Sequence, residues 1–234
     1  MSLFSTGNAP ELLRRHLERL RDMRGRESHG HAPPRLAEVK AWQAARLART
    51  YADLSATPRY AKATAFFLGD LYGAKDFSGR DEAMLRIYPV MVRTLPRGAV
   101  ETASLAIEVD ALSEELDRRV AAALQASPIT NAAYSLAYRQ AGTRTERARQ
   151  IELIDEVGRR LDALVVKPMV YTTLKLMRGP ARLAGLEDLQ TFLERGFEAF
   201  RHMGGAEEFI ATISGRETEI LNRLFSGHPS PFSV

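Results

Sequence analysis

Between Ala99 and Gln125 the chain sets Leu105, Val109, Leu112, Leu116, Val120 and Leu124 at steps of three and four residues. Only a helix places residues so spaced on one face, because a strand turns its side chains over every second residue. An amphipathic helix of this length must bury its stripe against other helices, and alternating β-branched runs that could build a sheet are scarce elsewhere. The expected fold is therefore all-α, a single multi-helix bundle of about nine or ten helices.

The remaining helices are read from breakers and caps. "NAPELLRRHLERLRDMRGR" opens with Asn8 as a cap and Pro10 in the first turn, and "SHGHAPP" ends it. "PRLAEVKAWQAARLARTYADLS" presents Leu36, Val39, Trp42, Ala45 and Leu47 as its apolar surface. Pro58 starts a third helix reaching Tyr72, with Tyr60, Thr64, Phe67 and Leu71 as a buried seam. Ser78 and Asp81 have capping-box spacing, so a fourth helix runs from there to about Leu95 with a kink at Pro89. After the long helix come "NAAYSLAYRQAG", "TRTERARQIELIDEVGRRLDALVV", Tyr171 to Arg178, and two final helices divided by Gly204-Gly205. Without a Gly/Ser linker or a fixed-period repeat, residues 1–234 read as one domain. Within it lie a basic N-terminal pair (8–56), the motif helices and long helix (57–126), the C-terminal helices (127–226) and a tail (227–234).

Composition excludes several chemistries. The chain has no cysteine, which removes disulfides, thiolate metal sites and thiol nucleophiles. No apolar run approaches the roughly 20 residues that cross a bilayer, and "MSLFSTGNAP" lacks a signal-peptide pattern. The expected location is cytoplasmic, with no membrane partner. Glu11 to Arg49 holds ten Lys/Arg against five Asp/Glu, which accounts for the net charge of +4. Arg14, Arg15, Arg19, Arg21, Arg24 and Arg26 form a basic start that could meet nucleic acid. No aromatic residues interleave them for base stacking, so solvated helix faces explain them better.

"FFLGDLYGAKDFSGRD" concentrates aromatic, acidic and glycine residues around one turn. Gly69 and Gly73 stand one helical turn apart, where a backbone or a flat ligand could come close. Asp70, Asp76 and Asp81 could bond amides of the turn or pair with Arg80 and Arg86. A tight corner of a helical core demands these residue types on its own. The stretch resembles a family of uncharacterised bacterial proteins named for an FFLEELY motif. Phe66, Phe67, Leu68, Asp70, Leu71, Tyr72, Gly73, Asp76, Phe77, Ser78 and Asp81 stand in that pattern, and Gly69 replaces its first acidic residue. "AFRHMGGAEEFIATISGRETEILNRLFSG" is similar to the same family's closing segment. The resemblance implies no catalytic residues.

Among candidates for chemistry, His16 lies between Leu12 and Leu20 on an apolar face, where a neutral imidazole could ligate haem iron or another metal. "FLGDLYG" also looks like the glycine-bearing distal helix of haem oxygenases, which would place Gly69 and Gly73 over a haem held by His16. Glu101, Glu108 and Glu115 recur every seven residues beside the long helix's stripe, with Arg86 and Arg93 as natural partners. Glu194, Glu198 and His202 read as a solvated row opposite a core face of Leu189, Phe192, Leu193, Phe197, Phe200 and Met203. No phosphate-binding loop, nucleophile elbow or zinc-protease His pair occurs. The reading that follows is a non-catalytic helical protein without a cofactor. It binds a protein partner, a second copy of itself or a hydrophobic ligand. A haem or metal binder using His16 is the alternative, and a nucleic-acid binder the weaker one.

Overall fold

The computed structural model describes residues 9–28, 33–71, 78–124 and 128–234, and every regular element among them is helical. The first elements are α1 (Ala9–Ser28), α2 (Leu36–Thr50), α3 (Ala52–Ala56) and α4 (Pro58–Phe66), which continues into a π-helical segment, Phe67–Leu71. Then come α5 (Ser78–Thr94), α6 (Arg97–Ala123), α7 (Asn131–Ala141) and α8 (Arg144–Val165). The chain closes with α9 (Pro168–Leu176), α10 (Arg178–Leu183), α11 (Glu187–Met203) and α12 (Glu207–Ser226). The twelve α-helices among the described residues exceed the nine or ten expected, because α3 and α10 are short pieces set off from α2 and α9 at Tyr51 and Met177.

Local chemistry accounts for most boundaries. Pro58 and Pro168 open α4 and α9, where a missing N–H costs nothing. Thr130 caps α7 by accepting from the Ala133 amide at 3.2 Å. At the start of α8, Thr143 and Glu146 form a reciprocal capping box. Pro89 lies inside α5, which runs on to Thr94. Gly204 (φ 61°) and Gly227 (φ 75°) end α11 and α12 in the left-handed conformation that glycine adopts most cheaply.

The long helix occupies the centre. α6 packs against α1, α2, α5, α7 and α8. Of the expected stripe, Leu116, Val120 and Leu124 are buried, whereas Leu105, Val109 and Leu112 are half-buried. Thr102, Ser104 and Glu114 are buried instead. A helix enclosed on several sides has no single inward face, so its polar residues must also go inside and find partners. Elsewhere too the apolar face is narrower than periodicity implies: Ala45 is exposed, and Leu193 keeps 45% of its surface.

Three apolar clusters hold the bundle. One joins Leu47, Tyr51, Tyr60 and Phe66 to Met203, Phe209 and Ile213, tying α2–α4 to α11 and α12. A second sets Leu13, Leu17 and Leu20 of α1 against Met84, Ile107, Ala111 and Leu189. The third packs Leu36 and Val39 on Val120, Leu124 and Tyr134, with Trp42 stacked on Tyr134 at 4.0 Å between ring centroids.

Candidate functional site

The described half of the aromatic-glycine stretch faces inward. Phe66 is buried, 5.2 Å from the Phe192 ring, and Phe67 meets Tyr51 edge-on. Asp70 is buried and pairs with Arg195 of α11 at 2.8 Å, a partner not expected from sequence, while of Arg80 only the backbone is described. Arg86 donates to the Ala184 carbonyl instead. Gly69 has open space around its missing Cβ among the described residues. The glycine that lets another helix approach this stretch closely is Gly196 of α11, where an added Cβ would lie 2.8 Å from the Phe66 ring, and Gly142 and Gly158 make similar room for Leu116 and Ile210 elsewhere. Phe66 and Gly196 sit far apart in sequence, so only their meeting in space reveals the pairing. Tyr72, Gly73, Asp76 and Phe77 lie outside the described residues, and of Leu71 and Ser78 only the backbone is described.

His16 is half-buried beside Leu13, Leu17 and Leu20, and burial lowers its pKa against the pull of Glu108. Gly69 follows Phe67 and Leu68, which pack on the α2–α4 cluster, whereas His16 adjoins leucines of the second cluster. Among the described residues, no group of three or more His, Asp or Glu side chains is placed to hold a metal ion.

The glutamates of α6 are structural ties. Glu101 pairs with Arg97 and Arg160, Glu108 with Arg149, and Glu115 with Arg19 and Arg119. These partners come from α1, α6 and α8, where the sequence suggested Arg86 and Arg93. The arginines of the basic start whose side chains are described are paired in the same way, and of Arg26 only the backbone is described. Arg14 and Arg15 pair with Glu18 and Glu11 along α1, and Arg21 pairs with Asp22. Arg24 is 5% exposed and donates to Asp81 (2.7 Å), Asp110 (2.6 Å) and Glu114 (3.3 Å). Asp81, expected to cap α5, is fully buried at this junction of α1, α5 and α6. Burial works to raise the Glu114 pKa, but Lys40, Arg24 and Arg118 overcome it and hold the carboxylate charged. Sequence could not single out Arg24 because its neighbours Arg14, Arg15, Arg19 and Arg21 look identical on the page.

A second polar group lies further along α6. Burial pushes the Asp117 carboxyl up to about 6, opposed by a hydrogen bond from Gln43 (2.7 Å) and the field of Arg147. Arg147 is 3% exposed, with its guanidinium 3.9 Å from the Tyr138 ring centroid.

The remaining distinctive surface is on α9 and α10. α9 has no buried residue at all. Met177 joins it to α10 with helical backbone angles, and the Ala181 amide donates to Met177 O at 2.8 Å. The two therefore run on through Met177 as one rod, in which Pro180 lacks an N–H to donate. Met169, Leu176 and Leu183, spaced by seven residues, point outward at 81%, 73% and 93% exposure. Val166 and Met177 flank them, also exposed. The opposite side is pinned: Tyr171 stacks on Phe197 at 5.2 Å, Ala181 is buried, and Gln190 donates to Leu174 O at 2.6 Å. Glu194 accepts from Gln190 and from Arg178, so this member of the supposed solvated row is the clamp that holds the rod. Glu198 and His202 are exposed as expected.

The clamp carries a pH signature. The Arg178 hydrogen bond holds the Glu194 carboxyl down at about 2, against an unfolded value near 4.5. A depressed carboxylate stabilises the fold above its unfolded pKa, and that contribution fades as pH falls towards 2. Because Arg178 is half-exposed, solvent screening keeps this contribution small. Glu194→Gln is expected to lower the urea midpoint at pH 7 and to match the parent near pH 2. Asp117 acts with the opposite sign, since its raised pKa takes stability away as pH rises through 4 to 6.

A family model described as a domain of unknown function (DUF8198) matches residues 22–231. The chain belongs to this family. The DUF8198 match spans every element from the end of α1 to α12, so the Arg24 junction, the π segment and the α9–α10 rod all lie within it. No curated protein and no solved structure matched the chain.

Proposed function

We propose that this protein acts by docking a protein partner on the outward face of α9 and α10. The observation that carries this reading is the seven-residue row of Met169, Leu176 and Leu183, held rigidly from behind yet turned to solvent. Single exposed apolar residues are ordinary, but an aligned row on one pinned rod is the form that protein-interaction faces take. The charged side chains of α1, α6 and α8 support the reading from the other side: their ion pairs knit the helices together. No helix among the described residues is long and apolar enough to cross a membrane.

Site-specific photo-crosslinking in cells tests the proposal. A photoreactive residue at 169 or 176 is expected to give a defined heavier adduct, and one at the exposed Glu152 of α8 is expected to give none. Equal adducts from all three positions, or none from any, would contradict it.

A further inference from the structure

Resting on that reading, we infer that the partner presents an acidic amphipathic helix. Between Val166 and Leu186 the chain carries Lys167, Lys175, Arg178 and Arg182 and no Asp or Glu. Arg178 is committed to Glu194, while Lys175 and Arg182 are exposed and make no ion pair among the described residues, the Lys175 ammonium lying 4.4 Å from the Tyr171 ring centroid. They too are seven residues apart, so they form a basic row along one flank of the Met169–Leu176–Leu183 row. One apolar row with one charged row beside it is what a single facing helix reads: apolar residues at three- and four-residue steps fill the seam, and carboxylates alongside meet the cations.

The same features disfavour other occupants. A second copy would bring Lys175 and Arg182 towards their own kind, with no carboxylate on the segment to answer them. A lipid surface calls for a wide apolar arc with aromatic anchors. Here the row, with Val166 and Met177 beside it, is narrow and bordered by Thr172, Thr173 and Pro180, and the only aromatic of the rod, Tyr171, is turned inward onto Phe197.

Selection from a displayed library of helical peptides of random surface charge, against the full chain, tests this. The expected winners are net acidic, carry apolar residues at three- and four-residue steps, and lose binding on Leu176→Glu. Their affinity is expected to fall about tenfold or more on the paired change Lys175→Glu and Arg182→Glu, and to weaken with added salt. Winners that depend on Leu176 but are neutral or basic would overturn the acidic partner and leave the docking face standing. If no peptide depends on Leu176, both readings fall. The inference is equally overturned by a homodimer in native mass spectrometry that Leu176→Glu splits. Cosedimentation with phosphatidylserine vesicles that the same change abolishes would also overturn it.

Discussion

Arg24→Met is expected to destabilise the fold by about 3–5 kcal/mol, the cost of taking one buried partner away from a cluster of charges. Methionine keeps the length of the arginine stem but offers no donor, so Asp81, with no exposure, and Glu114, at 3%, would lose their shared cation. Glu114 would retain Lys40 and Arg118. Urea unfolding at pH 7 measures the loss. Arg19→Ala, which removes an exposed pair to a Glu115 already held by Arg119, is expected to cost under about 1 kcal/mol. Equal losses from the two variants would show that the junction is not the electrostatic centre of the bundle.

The second large effect belongs to Phe66. Truncation to alanine is expected to cost about 3–5 kcal/mol, through lost apolar burial and the cavity left beside Phe192. Its contact with Gly196 adds a sharper test. Gly196→Ala alone forces a methyl group to within 2.8 Å of a rigid ring, so the helical preference for alanine is outweighed and the variant unfolds more easily. In a Phe66→Leu background the clash is relieved. The double-mutant cycle should therefore show favourable coupling of about 1 kcal/mol or more, and strict additivity would show that the two residues do not touch.

Helical character was fully legible in the sequence, because spacing of three and four residues has one structural solution. Direction around each helix was less so. The α6 stripe from Leu105 to Leu112 is only half-buried because neighbours enclose that helix on several sides, which no one-dimensional pattern encodes. Partners across the fold were the least legible. Glu101, Glu108 and Glu115 were visible as a row of boundary acids, but their arginines come from helices brought close only by folding. The exposed row on α9 and α10 was illegible for a related reason: "PMVYTTLKLMRGPARL" contains enough apolar residues to pass for core. Only the inward turn of Tyr171, Leu174 and Ala181 shows that Met169, Leu176 and Leu183 are left outside.

The side chains that stabilise this fold are distinct from the exposed row proposed to meet a partner. Urea unfolding of the triple variant Met169→Glu, Leu176→Glu and Leu183→Glu measures that separation directly. Three changes on a solvated face are each expected to shift stability by no more than about 0.5 kcal/mol, leaving the unfolding curve close to the parent's. A loss of several kcal/mol would mean that these side chains are packed inside the protein, and no docking face would remain.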